Sequence, residues 1–95
     1  MASNIYRTRV QKSQPFVLKN VLQLAIENYG NEEVILTLSD VVTAIPKATT
    51  VQGTTVPSLP YIIDSQVEPL EELRFSLDFP SNTGDVVVSY TTLKD

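Results

Sequence analysis

The last quarter of the chain carries the clearest alternation of apolar and polar residues. From Glu72 the two kinds alternate one by one up to the turn-forming segment 80–84, after which a β-branched run begins. A period of two places successive side chains on opposite faces of a strand. We therefore predict a two-stranded hairpin over 70–93, whose apolar face contains Leu73, Phe75, Leu77 and Phe79. Such a face needs a second layer to cover it, which predicts an all-β sandwich.

Residues 15–29 (PFVLKNVLQLAIENY) fit two periodicities. As a helix, the segment has a broad apolar arc with polar residues opposite. As a strand, it has one apolar face, broken only by Asn20, that contains Phe16, Leu18, Leu22, Leu24 and Ile26. We predict the strand, because the surrounding segments are strands and a lone helix would need its own place in the core.

The segment 28–45 predicts a turn followed by extended chain. Asn and Gly at 28–31 tolerate positive φ and favour a turn. A strand over 33–39 follows with alternating apolar residues, and we expect 41–45 to continue it beyond a kink at Asp40.

The segment 46–63 is rich in Thr and Pro. Residues 49–51 and 54–56 flank Gln52-Gly53, which predicts a small hairpin with a two-residue turn. A short strand at 61–63 leads towards the last quarter of the chain. In total the pattern predicts an antiparallel β-sandwich of about seven strands.

Composition excludes most catalytic and metal chemistry. The 95 residues suit one domain and are 42% apolar, with no cysteine, histidine or tryptophan. The chain therefore lacks the commonest nucleophile–base pairs and the usual ligands of zinc, copper and iron. Acidic residues near the last two strands could be read as a calcium cluster, but they lack EF-hand spacing and suit an exposed sheet face. We expect no enzyme, no cofactor and no metal site.

Charge is distributed unevenly along the chain. Arg7, Arg9, Lys12 and Lys19 lie in the first nineteen residues, which contain no acid, whereas the remainder has three basic and all eleven acidic residues. We divide the chain into a basic N-terminal arm or edge strand (1–14) and a β-sandwich domain (15–95). The arm is either a solvated charged segment or a strand that docks on an acidic surface, such as the body of a neighbouring copy. The acidic body would repel nucleic acid.

Two segments are candidates for protein contacts. The arm alternates apolar and basic residues, and the weakly charged loop 49–61 carries apolar residues among threonines. The candidate partner-binding residues are Ile5, Tyr6, Arg7, Arg9, Val10, Lys12, Val51, Val56, Leu59 and Tyr61.

Three motifs resemble bacterial Ig-like repeats of the cell-adhesion-related (CARDB) type. They are an Asn-x-Gly turn within 24–31, a Val/Thr-rich strand ending at Asp40, and a Pro-x-Glu lead within 67–73 into the strand 74–77. The resemblance covers about residues 20–93. It implies that the domain 15–95 is an immunoglobulin-like (Ig-like) antiparallel sandwich of about seven strands, used as a spacer or interaction module, and it carries over no catalytic residue. The chain departs from that family in its basic arm and in having no secretion signal.

The favoured function is structural. The first residues contain no signal-peptide core, and no segment is long enough to span a membrane. If Met1 is the native start, we expect a protein made in the cytoplasm that works there or inside a virus particle, as a capsid-decorating or tail subunit. Its partners would be other protein subunits, including its own copies, with no nucleic acid, membrane or small-molecule substrate. The alternative is a carbohydrate- or peptide-binding adhesion module that uses Tyr29, Tyr61 and the loop 46–60.

Overall fold

Antiparallel strands account for the fold, which confirms the predicted all-β class. The computed structural model describes residues 2–57, 60–64 and 70–94. Its strands are β1 (Ala2–Val10), β2 (Gln14–Asn28), β3 (Val34–Leu38), β4 (Val41–Ile45), β5 (Thr49–Val51), β6 (Thr54–Val56), β7 (Tyr61–Asp64), β8 (Leu70–Asp78) and β9 (Val86–Lys94). Seven strands are joined by hydrogen bonds into an Ig-like sandwich, and β5 pairs with β6 as a separate hairpin. Within these ranges no helix could cross a lipid bilayer.

The long strand β2 belongs to both layers of the sandwich, because it bends in the middle. Its first half pairs with β8, and its second half pairs with β9 on one side and β7 on the other. Asn20 has a left-handed φ of 56°, and a β-bulge lies between Val21 and Gln23. Strands change layers at such bends. One layer therefore contains β1, β9, the second half of β2 and β7, and the other contains the first half of β2, β8, β3 and β4.

The strand interpretation of residues 15–29 is confirmed, and the helical alternative is wrong. The bulge nevertheless changes which side chains face the core. Leu22, expected on the buried face, is only half-buried, whereas Val21 has no exposed surface. The extra residue in the bulge shifts the alternation by one position.

The last two strands do not form the predicted hairpin. β2 lies between β8 and β9 in the strand order, so the turn 80–84 carries the chain from one layer to the other. β8 keeps its predicted inner face, because Leu73, Phe75, Leu77 and Phe79 are buried; Val86 and Val88 of β9 are buried as well. These faces cover one another across the core instead of lying side by side. Strand periodicity fixes the face of each strand but not its neighbour.

Ser39 and Asp40 reverse the chain, so the expected continuation of β3 through 41–45 is wrong. Both residues have left-handed φ angles, 50° and 64°, and Leu38 pairs with Val41 across the turn. Two consecutive positive φ angles characterise the type I′ hairpin turn. The reversal makes β4 the outermost strand of its layer.

Candidate assembly surface

The arm predicted from its basic charge forms the edge strand β1. It pairs with β9 of the same chain over its full length, from Ala2 opposite Lys94 to Val10 opposite Val86. In the part of the chain that the structure describes, no strand pairs with the other side of β1. We call this open side the β1 edge.

The hydrogen-bond pattern shows which main-chain groups the β1 edge presents. The Tyr29 N–H donates to the carbonyl oxygen of Asp85 at 2.8 Å, and the β2–β9 register continues from this pair. Main-chain groups alternate in direction along an antiparallel strand. Even-numbered residues of β9 therefore bond to β1, which leaves the N–H and C=O groups of Ile5, Arg7 and Arg9 on the open side.

Ile5 is the most exposed large apolar residue among those described. Its side chain lies on the outer face of the sheet and is 81% exposed. Tyr6 points to the opposite face, where its ring stacks on Tyr90 with centroids 5.0 Å apart, and it is 43% exposed. The β1 edge thus combines an exposed aliphatic side chain with unpaired main-chain groups.

The two arginines of β1 form ion pairs with acids of their own domain. Arg7 lies 3.6 Å from Glu27, and the Arg9 Nε lies 2.9 Å from the Asp85 Oδ1. The Arg9 N–H does not point at that oxygen, so the contact is an ion pair without a hydrogen bond. Because both arginine side chains are more than 60% exposed, each pair contributes about 0–1 kcal/mol. The basic residues of β1 therefore already neutralise acids of their own chain.

The two remaining candidates on the arm, Val10 and Lys12, differ in their exposure. Val10 is 1% exposed and packs in the core, so its assignment as a partner-contacting residue is wrong: the inward face of β1 is part of the hydrophobic interior. Lys12 lies beyond the end of β1 and is exposed, and its contact with a partner stays a prediction.

The hairpin predicted at 49–56 is present. Gln52 and Gly53 both have positive φ, and β5 pairs with β6 from Thr49 opposite Val56 to Val51 opposite Thr54. This register puts Val51 and Val56 on one face, where they are 54% and 40% exposed. The hairpin thus presents a small apolar surface.

Of the two other candidates in this segment, Leu59 lies outside the described residues. Tyr61 begins β7, opposite Ile26 of β2, and packs against the core cluster. Its ring is half-buried because the register turns it inward, and its contact with a partner stays a prediction. Its neighbour Ile62 is instead the exposed apolar residue of β7, at 56%.

Sequence reasoning missed a second open edge, formed by β4. Val41 and Val42 are 62% and 66% exposed, and no described strand pairs with the outer side of β4. We call this side the β4 edge. The available signal was the uncharged run 41–45 after a Ser-Asp turn, which is typical of a hairpin strand as well as of a continuing one.

The described residues contain no group of three or more possible metal ligands. Arg7, Arg9, Tyr29 and Val87 line an open depression on the outer face of β1, β9 and β2. The Tyr29 hydroxyl donates to Glu27 at 3.3 Å, and Glu27 is also the ion-pair partner of Arg7, so this ion pair borders the depression. The guanidinium and hydroxyl groups that line this depression suit polar contacts with another surface.

Comparison with known proteins found no matching family model, no matching curated protein and no matching solved structure. The likeness to CARDB-type repeats therefore stays a prediction.

Proposed function

We propose that this chain is a non-enzymatic structural module that assembles with other protein subunits through the open edges of its sandwich. The observation that carries the proposal is the β1 edge, where an 81% exposed Ile5 lies beside unpaired main-chain groups. An extended segment from another molecule can add to such an edge as a new strand. Main-chain hydrogen bonds would supply affinity and the side chains of β1 would supply selectivity.

The charges of β1 support a specific partner over general aggregation. Natural edge strands carry charged residues that oppose unselective strand pairing. Arg7 and Arg9 provide such charges at the two positions that follow Ile5 on the same face of β1. Since they already pair with Glu27 and Asp85, a partner must offer polar residues opposite them or replace these ion pairs with its own acids.

Within this class we propose an accessory subunit of a virus particle, either a capsid decoration or a tail component. Two features support this proposal. The sandwich is small and has no cysteine, so it folds without disulfides, and its edge strand is basic whereas the rest of the chain is acidic. Many identical copies of such a unit can cover a surface with weak individual contacts.

The test compares Ile5→Glu with Val17→Glu. Both substitutions replace an exposed aliphatic residue on an outer sheet face by glutamate, so they change the net charge equally. Val17 is 51% exposed and lies in the layer that does not contain β1. Light scattering over a concentration series measures the mean mass of the assembled species. We expect this mass to rise with concentration for the wild type and Val17→Glu, and to rise less for Ile5→Glu because the contact made by β1 is lost. Unchanged assembly of Ile5→Glu would contradict the role of this edge.

The alternative, a carbohydrate- or peptide-binding adhesion module, rests on the depression beside Tyr29. Tyrosine with nearby arginines suits stacking and polar contacts with a sugar or peptide. Glycan and peptide arrays test this alternative: binding that disappears in Tyr29→Ala would support it, and the absence of any binding would remove it.

A further inference from the structure

The β4 edge differs from the β1 edge because its strand carries no charged residue. β4 reads Val-Val-Thr-Ala-Ile, and the nearest charges are Asp40 before it and Lys47 after it. In the described part of the chain neither of these two residues takes part in an ion pair. An exposed apolar edge without charges lacks the usual protection against pairing with another strand.

The turn between β3 and β4 determines which main-chain groups this edge presents. In a two-residue I′ hairpin the residues that flank the turn, here Leu38 and Val41, form a hydrogen-bonded pair. The direction of the groups alternates from that pair onwards. The N–H and C=O groups of Val42 and Ala44 therefore point to the open side.

These groups are complementary to those of a second β4 strand. When two copies of β4 run antiparallel about a two-fold axis at Thr43, Val42 of each copy lies opposite Ala44 of the other. Each such pair exchanges two main-chain hydrogen bonds, so the contact contains four. A symmetric contact of this kind uses the same surface on both molecules.

The same register also buries exposed apolar side chains. Val41, which faces the core side of its layer and is 62% exposed, lies opposite Ile45 of the other copy. Thr43 lies opposite Thr43 of the second copy, where its small side chain fits the close, non-hydrogen-bonded position.

The flanking charges favour the antiparallel direction. Asp40 of one copy lies opposite Pro46 of the other and beside its Lys47, and this pairing occurs at both ends of the contact. A parallel arrangement would instead bring the two Asp40 side chains close together and the two Lys47 side chains close together, and these like charges would repel.

We propose that β4 pairs with β4 of a second copy of this chain, in this register, and joins two four-stranded layers into one continuous eight-stranded sheet. The inference deepens the proposed assembly function and rests on it, since it names the partner at one edge. Five residues of edge strand make a small interface, so the dimer is weak by itself and becomes effective when other edges hold the copies together.

The test uses charge changes that depend on the register. Val42→Glu and Ala44→Lys each place a charge on the β4 edge, and Val17→Glu is the matched control in the same layer. All variants are made in the Ile5→Glu background, in which the β1 contact is disabled. Sedimentation velocity at millimolar concentration should show this parent chain and its Val17→Glu derivative approaching twice the 10.5 kDa mass of the chain. Each edge variant alone should have a dissociation constant raised at least about tenfold. A mixture of the two should recover the dimer, because the introduced carboxylate lies directly opposite the introduced ammonium.

Residue-resolved amide exchange separates the failure of this inference from the failure of the proposed function. In the Ile5→Glu background the β1 contact is disabled, so slowed exchange at Val42 and Ala44 with rising concentration reports the β4 contact alone. Concentration-independent exchange at these two amides, or no recovery in the mixture, would overturn the inference. If the Ile5 and Arg7 amides of the wild type still become protected, the proposed function stands without it.

Discussion

The side-chain amide of Asn28 donates a hydrogen bond of 3.3 Å to the carbonyl oxygen of Ile45, seventeen residues further along the chain. The same nitrogen lies 2.8 Å from the carbonyl oxygen of Glu32 and 3.2 Å from that of Pro46. The side-chain oxygen accepts from the Gly30 N–H at 2.9 Å. Asn28, only 1% exposed, therefore connects the end of β2, the following turn and the end of β4.

Replacement of Asn28 should destabilise the fold without changing its surface. Asn28→Ala removes the amide donor that lies near three carbonyls and the oxygen that accepts from the Gly30 N–H, and we expect a loss of about 2–3 kcal/mol. Asn28→Asp should cost more, because a carboxylate would face three carbonyl oxygens in a buried position. Urea unfolding followed by circular dichroism measures both values. A loss below 1 kcal/mol for Asn28→Asp would contradict this role.

A second prediction concerns the bend of β2 at Asn20. The left-handed conformation is tolerated by Asn and Gly but is unfavourable for a β-branched residue. Asn20→Gly should leave the free energy of unfolding nearly unchanged, whereas Asn20→Val should lower it by about 1–2 kcal/mol. Thermal unfolding of the two variants provides the comparison. Equal stability of both would show that the bend does not depend on this conformation.

A third prediction concerns the crossing from β8 to β9. A Cβ atom on Gly84 would lie 2.5 Å from the Phe79 ring, which is itself buried. Gly84→Ala should therefore cost about 1–3 kcal/mol through overpacking. Combining it with Phe79→Leu, which removes part of the ring, should cost less than the sum of the two single changes. Additive losses in chemical denaturation would exclude the steric explanation.

The fourth prediction is that β1 cannot be removed without unfolding. If residues 1–14 were a solvated arm, as the charge pattern allows, their deletion would leave a folded monomer. In the structure Val10 belongs to the core, and Val10→Ala alone should cost about 1–3 kcal/mol. Deletion of residues 1–12 should therefore abolish the cooperative thermal transition, whereas Ile5→Glu should shift the midpoint by only a few degrees. A truncated chain that melts like the wild type would contradict the integration of β1.

The surface candidates were predictable to different extents. Ile5, Val51 and Val56 are exposed as the contact hypothesis requires, because isolated apolar residues among polar ones on edge strands remain accessible. Val10 was misassigned, since an apolar residue among basic ones looks like its exposed neighbours and only the pairing register turns it inward. The register also turns Tyr61 inward, where it is half-buried. The β4 edge was missed because a hairpin and a continuing strand share the same local pattern.

The sequence by itself determined the all-β class and the buried face of β8, because the period of two is a local property of a strand; over residues 15–29 it fitted both a helix and a strand. Only the tertiary structure decided that β2 crosses between layers at Asn20, that β8 and β9 lie in different layers and that β4 is an open edge. Those features depend on which distant strands pair, and pairing is determined by the combined burial and hydrogen bonding of the whole chain, which no single segment encodes.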